Sequence, residues 1–223
     1  GNNGSISPSG LVEVPSGSDQ SFTITPNPCY RIESVLVDSV PLSGPFVSPY
    51  SYTFSSVQSD HIIQATFTLT TYSITASAGN NGSISPSGSV EVPCGSDQSF
   101  TITADPCYKI SLIIVDGNPL TGPFTSPYSY IFTDIQGDHT ISATFTRNSF
   151  IISSSAGTGG SISPSGSVSV LCGDSQTFTI TPNFFRRIDY ILIDGVQIGA
   201  VTTYTFSNVQ TDHSIYAAFR WLW

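Results

Sequence analysis

The residues with the clearest chemical potential are the four cysteines, Cys29, Cys94, Cys107 and Cys172. Thiols can pair as disulfides, or they can bind a metal as thiolates. The sequence contains no CxxC pair and no clustering of cysteine with histidine, and both are typical of metal sites. We therefore predict disulfides and no metal or other cofactor. Four cysteines allow three pairings, so the choice among them needs further information.

That information comes from a long internal repeat. The segment GNNGSISPSG begins at Gly1, recurs unchanged at Gly79, and recurs as GTGGSISPSG at Gly157, which fixes a period of 78 residues. A repeat of this length indicates an array of similar structural units. We divide the chain into three modules, residues 1–78, 79–156 and 157–223.

On this period the cysteines fall into two classes. Cys94 and Cys172 are equivalent and correspond to Ser16, whereas Cys29 and Cys107 are equivalent and correspond to Phe185. The first module lacks one class and the last module lacks the other, as expected if each bridge joins neighbouring modules. The pattern favours Cys29–Cys94 and Cys107–Cys172. The pairing of Cys94 with Cys107 inside the middle module remains the alternative.

Three histidines could also do chemistry, since each follows an aspartate. The pairs are Asp60-His61, Asp138-His139 and Asp212-His213. Such a pair can bind a metal or act as an acid–base couple, but three equal copies without a nucleophile favour a turn that is repeated with the module. The GSDQ and GDSQ turns carry too few oxygen ligands for calcium. We find no catalytic constellation, and we predict that the chain is not an enzyme.

Composition excludes several classes of partner. Charged residues make up 9% of the chain and the net charge is −9. Nucleic acids and anionic membranes need basic surfaces, so neither is expected as a partner. No apolar run approaches the roughly 20 residues of a membrane span. The chain begins at Gly1 without Met or a basic leader, which suggests a processed or trimmed product of the secretory route.

Alternation of apolar and polar residues predicts β-strands throughout. In Gln98–Thr103, Phe100 and Ile102 share one face, and an apolar run ending at Asp116 predicts a central strand with a hairpin at Asp116-Gly117. No stretch has a helical apolar stripe. We expect an all-β chain with six or seven short strands in each module.

The first strand of a module precedes its glycine-rich motif. Tyr72–Ala78 and Phe150–Ala156 hold this position before the second and third motifs, and no such strand precedes Gly1. The first module is therefore predicted to lack its own first strand. The third module is shorter, because residues are missing from its Pro-rich hairpin loop.

The order of motifs resembles the divergent InlB-type B-repeat of bacterial and archaeal surface proteins. These motifs are GxxGSISPSGxVxV, QxFTIT, a short VDG strand, YxF and DHxIxAxF, and all three modules carry them with small changes. The resemblance implies small β-sandwich or β-grasp-like (Ig-like) modules on the cell surface of a bacterium or archaeon. Such modules act as stalks, spacers or adhesive elements, and the family offers no catalytic residues to transfer.

These observations favour an extracellular structural protein. We expect a disulfide-stiffened rod whose copies polymerise head to tail by strand complementation, so that the main partner is a second copy of the chain. The expected subunit interface comprises Ser16, Phe185, Arg220, Trp221, Leu222 and Trp223. The alternative is a monomeric adhesin or carbohydrate-binding stalk, with a host or surface glycan or protein as its partner. That alternative predicts an exposed aromatic or acidic cluster in one module only.

Overall fold

The structure is a computed structural model that describes residues 2–223; Gly1, the first residue of the predicted first module, lies outside the described residues. It contains 22 strands and, within the described residues, no helix. The first six strands are β1 Gly4–Ser7, β2 Gln20–Pro26, β3 Tyr30–Val37, β4 Val40–Pro41, β5 Tyr50–Phe54 and β6 Ile63–Leu69. The next eight are β7 Thr71–Ala78, β8 Gly82–Ser85, β9 Gly88–Pro93, β10 Gln98–Ala104, β11 Tyr108–Val115, β12 Asn118–Pro119, β13 Tyr128–Phe132 and β14 His139–Arg147. The last eight are β15 Ser149–Ala156, β16 Gly160–Ser163, β17 Gly166–Leu171, β18 Gln176–Pro182, β19 Arg186–Ile193, β20 Val196–Ile198, β21 Thr203–Phe206 and β22 His213–Trp221. The predicted all-β class is confirmed.

The strands recur with the sequence period. We call β1–β6 the first repeat, β7–β14 the middle repeat and β15–β22 the last repeat. β7 and β9 of the middle repeat correspond to β15 and β17 of the last repeat, and they have no counterparts in the first repeat. Six strands are thus present in the first repeat, and eight in each of the others.

The last repeat is a two-layer sandwich. One sheet has the order β16-β18-β21 and the other has the order β17-β15-β22-β19-β20. Phe178 and Ile180 of the first sheet and Ile152, Ile191 and Ile215 of the second share one core, because alternate residues of each strand point toward the facing sheet. The strand β15 lies parallel to β22 and antiparallel to β17.

The first repeat has the three-stranded sheet β1-β2-β5 and a second sheet reduced to β4-β3-β6. Its core includes Ile24, Ile32 and Val35. Strands equivalent to β15 and β17 are missing from this second sheet within residues 2–223. The predicted absence of a first strand is thus accompanied by the loss of a second strand, because residues 10–15 have no neighbour with which to pair.

The predicted hairpins at the ends of the central strands are present. Asp116 and Gly117 both have positive φ, at 49° and 76°, and Asp194 and Gly195 have 50° and 80°. Two consecutive positive φ values define the tight turn that matches the twist of a hairpin, and glycine adopts this conformation without steric cost. Asp-Gly after an apolar run therefore predicts this hairpin turn from the sequence.

A close approach explains the glycine that opens each GSIS strand. A Cβ on Gly160 would lie 2.3 Å from the ring of Phe219, and one on Gly82 would lie 2.4 Å from the ring of Phe145. Phe219 belongs to the last IxAxF motif of the chain, so this motif and the glycine are required together. The two motifs are distant in sequence, and only packing connects them.

We expect the substitution Gly160→Ala to lower the free energy of unfolding by about 1–3 kcal/mol, because the rigid aromatic ring must shift to admit a methyl group. Chemical denaturation measures the loss. Gly199→Ala is the matched control, since its Cβ would meet nothing within 4 Å. Equal effects of the two substitutions would contradict this explanation.

The chain divides into two compact units. The first comprises Gly1–Ala76, Pro86–Phe100 and Tyr130–Ile141, and the second comprises Ser77–Ser85, Thr101–Ser129 and Ser142–Trp223. The strands of the middle repeat are divided between these units. The division into three modules with boundaries at 78 and 156 therefore stays a prediction.

Candidate functional site

The first repeat of the described chain contains an open groove. It has a volume of about 760 Å³ and lies between residues 10–16 on one side and residues 57–63 on the other, with Gln20, Phe22 and Phe54 also lining it. We call it the first-repeat groove. Leu11 at its rim is 96% exposed and Ile62 is 63% exposed.

The groove lies where later repeats have a strand. In the last repeat β15 inserts between β17 and β22, and Ile152 lies opposite both Val168 and His213. The positions equivalent to Val168 and His213 are Val12 and His61, and both line the groove. The groove is therefore the space that a strand like β15 occupies.

Burial supports this assignment. Phe178, Ile215 and Ala217 are buried in the last repeat, and so are their equivalents Phe100, Ile141 and Ala143 in the middle repeat. In the first repeat, the equivalent residues Phe22, Ile63 and Ala65 are only partly buried. The same side chains thus remain partly solvated when the strand beside them is missing.

The edges of the groove also lose strand structure. β6 begins at Ile63, whereas β14 and β22 begin at the equivalents of His61, which are His139 and His213. The missing ladder leaves backbone N–H and C=O groups available at this edge. An edge of this kind is a template for an added strand.

Asp60, Asp138 and Asp212 stand at equivalent positions in the three repeats. Asp138 accepts a hydrogen bond from the backbone N–H of Ser73 at 2.8 Å, and Asp212 accepts one from the backbone N–H of Ile151 at 2.8 Å. Ser73 lies on β7 and Ile151 lies on β15. In the middle and last repeats these two strands fill the space that is equivalent to the first-repeat groove. Asp60 is the equivalent of Asp138 and Asp212 in the first repeat and lines the first-repeat groove.

His61 and His213 hydrogen-bond to aspartates that are distant in sequence, and not to the aspartates that precede them. His61 Nδ1 lies 2.8 Å from Asp38 Oδ2, and His213 Nδ1 lies 2.7 Å from Asp194 Oδ2. His213 also packs against Phe206, with ring centroids 4.8 Å apart. Each pair joins the hairpin after the central strand to the start of the last strand, which is a structural role.

The hydrogen bonds set the ionisation of the two carboxylates. For Asp38, the backbone N–H of Ile62 and then the His61 side chain lower the pKa below its ordinary value. For Asp194, burial alone would raise the pKa, but hydrogen bonds from His213 and from the Ser214 amide outweigh it and lower the pKa. Both carboxylates are thus favoured in their ionised form in the folded state.

We expect Asp194→Asn to reduce stability at neutral pH and to reduce it less as the solution becomes acidic. A folded-state pKa below the unfolded value of about 3.9 adds stability above that pH, and this stability is lost as the pH falls through the folded-state pKa. Asparagine tolerates the positive φ of this position, so the charge is the main change. Urea unfolding at pH 7, 4 and 3 measures the difference, and a constant difference across this range would contradict it.

Two disulfides join neighbouring repeats, in the pairing that the sequence favoured. Cys29 bonds to Cys94 and Cys107 bonds to Cys172, each with a separation of 65 residues. The residue that connects two repeats adds backbone hydrogen bonds beside each bridge. Thr70 donates its N–H to Cys29 O at 2.8 Å, and Thr70 O accepts the N–H of Cys94 at 2.9 Å.

The same link continues at the other end of the described chain. Asn148 connects Cys107 and Cys172 in the second joint as Thr70 does in the first, and Leu222 donates its N–H to Phe185 O at 3.1 Å. Phe185 has the positive φ that Cys29 and Cys107 have, so its backbone is that of a joint although it carries no thiol.

The residues predicted as a subunit interface are partly brought together. Phe185 and Trp223 have ring centroids 5.4 Å apart, Trp221 and Trp223 are stacked at 5.8 Å, and Arg220 forms an ion pair with Asp189 at 3.0 Å. Ser16 is in the first compact unit and lines the first-repeat groove.

The sequence reading missed two members of this surface. Phe184 is 84% exposed and lies 3.8 Å from Phe185 between ring centroids, and the Arg186 guanidinium lies 3.5 Å above the Trp221 ring. We call Phe184, Phe185, Arg186, Trp221 and Trp223 the aromatic cluster. Most of the equivalent positions in the earlier repeats are not aromatic, so a comparison of the repeats could have found the cluster. These positions carry Pro28 and Pro106, Cys29 and Cys107, Tyr30 and Tyr108, Leu69 and Arg147, and Thr71 and Ser149.

The sequence of the middle repeat matches the model of a known protein family. Residues 72–149 match the model of the divergent InlB B-repeat domain. The resemblance to this family that the sequence predicted is thus confirmed for residues 72–149. The matched segment includes nearly all of β7 and ends after β14, so the InlB B-repeat begins with the strand that has no counterpart in the first repeat of the described chain.

Two solved structures show weak similarity. The I9–I11 tandem from titin is 10% identical, with 91% of this chain and 93% of that chain covered and a TM-score of 0.17. The SGBP-B protein of the Bacteroides ovatus mixed-linkage glucan utilization locus, in complex with a mixed-linkage heptasaccharide, is also 10% identical, with 98% of this chain and 71% of that chain covered and a TM-score of 0.19. No curated protein matches the chain.

Two features are absent from residues 2–223, the part of the chain that the structure describes. This part contains no group of three or more His, Cys, Asp or Glu side chains placed to hold a metal ion. It also contains no helix long and apolar enough to cross a membrane.

Proposed function

We propose that this chain is an extracellular structural protein whose copies assemble head to tail, with the first-repeat groove of one copy taking up a strand from another. The observation that carries the proposal is the groove itself, because the equivalent space is filled by a strand in both other repeats. A groove that leaves the apolar side chains of Phe22, Ile63 and Ala65 only partly buried favours the addition of a strand over a monomeric state.

The joints support the head-to-tail direction. At each internal joint a connecting residue bonds to the carbonyl of Cys29 or Cys107 and to the amide of Cys94 or Cys172. Leu222 already has the first of these bonds, to Phe185 O. We propose that its carbonyl accepts the N–H of Ser16 in the next copy, so that Phe185 and Ser16 meet as the cysteines do inside the chain.

The disulfides support an extracellular location and a stiff assembly. Disulfides persist in oxidising compartments such as the cell surface. Each bridge lies at a joint between two repeats and restrains the joint directly. We propose that the internal joints form a disulfide-stiffened rod, and that joints between copies depend on backbone pairing and on the aromatic cluster. Neither nucleic acid nor a membrane is part of this proposal.

Negative-stain electron microscopy of the purified protein tests the assembly. We expect filaments in the wild type, and we expect deletion of 220–223 to shorten or abolish them, because the deletion removes Leu222 and two of the five members of the aromatic cluster. Arg187→Ala is the control, since this residue lies outside the cluster. Unchanged filaments after the deletion would exclude the joint, and a wild type that remains monomeric at high concentration would exclude the assembly.

The aromatic cluster favours a second candidate, a surface module that binds carbohydrate. Exposed rings in one repeat only are what this alternative predicts, because sugar rings stack on aromatic faces. Tryptophan fluorescence on titration with soluble glycans tests it. Quenching that is lost in Trp223→Ala, together with an absence of filaments, would favour this candidate over assembly.

A further inference from the structure

We infer that β17, an edge strand of the last repeat, pairs with β17 of a second copy of this chain about a two-fold axis, so that two five-stranded sheets join side by side. The inference goes beyond the proposed head-to-tail assembly, because it concerns a different surface and involves neither the first-repeat groove nor the aromatic cluster. It is argued from a comparison of β17 with β9, the strand at the equivalent edge of the middle repeat.

β17 lies at the edge of its sheet, which has the order β17-β15-β22-β19-β20. Within residues 2–223, no strand pairs with β17 on the side away from β15. The six residues of β17, Gly166–Leu171, have the sequence GSVSVL, with neither a charged residue nor a proline. An unprotected edge of this kind is a template for another strand, and proteins commonly protect such edges with charged residues or proline.

The same edge is protected in the middle repeat. β9 also lies at the edge of its sheet, and it has Glu91 where β17 has Ser169 and Pro93 where β17 has Leu171. The first repeat has glutamate and proline at the corresponding positions of its sequence. The last repeat lacks both, and its Leu171 side chain is 45% exposed. The edge of the last repeat is therefore open at the two positions that carry a charge or a proline in the other repeats.

The backbone of β17 presents hydrogen-bonding groups to this edge at alternate residues. Cys172 donates its N–H to Asn148 O at 2.9 Å, and bonded and non-bonded pairs alternate along an antiparallel ladder. The next pair, Leu171 with Ser149, is therefore non-bonded, and so is the pair that contains Ser169. The N–H and C=O groups of Leu171 and Ser169 thus point away from β15, toward the open edge.

These groups define a two-fold register. When Ser169 lies opposite Ser169 of a second copy, each residue can donate its N–H to the carbonyl of the other. Leu171 of each copy then lies opposite Ser167 of the other, and this pair is bonded in the same way because Ser167 also belongs to the alternate set. The edge-facing N–H and C=O groups of all three residues are then paired.

The same register matches the faces of the two sheets. Val168 and Val170 point toward the core of the last repeat. Ser167, Ser169 and Leu171 lie on the exposed face. With Ser169 opposite itself, Val168 lies opposite Val170 of the second copy, so apolar side chains meet on the inner face. Val168 is only partly buried in the single chain, and it gains apolar contact in the pair.

The residues of the middle repeat would oppose this pairing, which favours a second copy as the occupant. A glutamate at the position of Ser169 would face the same glutamate across the two-fold axis, and like charges directly opposite each other are destabilising. A proline at the position of Leu171 would remove an N–H that the pairing uses. β17 instead brings no charge to the contact, although the chain as a whole has a net charge of −9.

Charge complementation at position 169 tests the pairing. Ser169→Glu and Ser169→Lys are prepared in the full chain with different tags, and capture of one protein by the other is measured. We expect capture in the Glu–Lys mixture to exceed that in the Glu–Glu mixture about fivefold, because opposite charges then meet at the two-fold axis. Gln197→Glu and Gln197→Lys are the matched control, since Gln197 is exposed on β20 at the other edge of the sheet, and their mixtures should not differ. Equal capture in the two mixtures at position 169 would overturn the inference.

A second experiment exchanges the edge residues of the two repeats. The variant with Ser169→Glu and Leu171→Pro carries residues that the equivalent strand β9 already accommodates, so it should fold normally and stay unpaired. Hydrogen exchange measured at increasing protein concentration should show growing protection of the Ser169 and Leu171 amides in the wild type. The Ser169 amide of the variant should show no such increase. Protection in the wild type that does not change with concentration would contradict the pairing.

The outcomes separate this inference from the proposed function. Head-to-tail contacts are the same in the Glu–Lys and Glu–Glu mixtures, so a difference in capture reports pairing at β17 alone. If capture differs while the wild type forms no filaments, the inference stands and the head-to-tail assembly is wrong. If filaments form and capture is equal, the assembly stands and the inference is overturned.

Discussion

Replacing Cys107 and Cys172 together by serine is expected to lower the free energy of unfolding by about 4 kcal/mol. The reason is that a cross-link closing a loop of about 65 residues lowers the conformational entropy of the unfolded chain, and the variant regains that entropy. For a chain of this size the melting temperature should fall by about 10 °C. The double substitution is used because a single one would leave a free thiol able to form bonds between chains. Calorimetry of the oxidised proteins measures the shift.

The other bridge is the internal control. Cys29 and Cys94 have the same separation, so their double substitution is expected to cost about as much. Treatment of the wild type with a reductant should lower its melting temperature to that of a variant in which all four cysteines are replaced by serine. A double variant that unfolds at the wild-type temperature would show that the bridge adds nothing beyond the backbone hydrogen bonds of the joint.

Truncating Phe178 to alanine is expected to destabilise the protein by about 3–5 kcal/mol, because the ring is fully buried and its removal leaves a cavity. Phe22 is the equivalent residue beside the first-repeat groove. The ring of Phe22 packs edge-on against Phe54 at 5.9 Å, as that of Phe178 does against Phe206 at 6.0 Å. The two sites therefore differ chiefly in burial.

We expect Phe22→Ala to cost about half as much as Phe178→Ala, because part of the Phe22 ring already contacts water. Denaturant unfolding of the two variants measures the difference. A chain with TYSITASA, the sequence of Thr71–Ala78, fused before Gly1 gives a sharper comparison, since an added strand should bury Phe22 and the two substitutions should then cost nearly the same. Equal costs in the unfused protein would mean that the groove is closed in solution.

The arrangement of the strands explains why core residues beside the first-repeat groove are only partly buried. In the last repeat β15 is an interior strand of its sheet, with β17 on one side and β22 on the other. Removing such a strand uncovers the core and separates its two neighbours. The loss of strand structure at residues 10–15 and the shorter β6 are both consequences of one missing ladder.

The strand pattern and the turns could be predicted from the sequence because they depend on local chemistry. Alternation placed Phe100 and Ile102 on one face, and Asp116-Gly117 marked a hairpin. The period sorted the cysteines, since a bridge between repeats leaves one class without a partner at each end. In each case residues in the same short segment, or at one fixed spacing, carry the information.

Other features could not be read in this way. The histidines follow Asp60, Asp138 and Asp212 in sequence, but two of them bond to the distant Asp38 and Asp194. Asp138 and Asp212 instead accept backbone hydrogen bonds from β7 and β15, the strands that fill the space equivalent to the first-repeat groove. The partner of each of these two histidines lies far away in sequence, because successive residues of an extended chain point in opposite directions.

The sequence by itself determined the all-β class, the 78-residue period and the two classes of cysteine, because strand alternation, turn chemistry and repetition are properties of the chain read in order. Only the tertiary structure decided what Gly160 is for, which carboxylate each histidine meets, and that the absence of one strand opens a groove with Asp60 at its edge. These depend on residues brought together across a sheet or between two sheets, and side-chain packing and ladder register, which local sequence does not encode, bring them there.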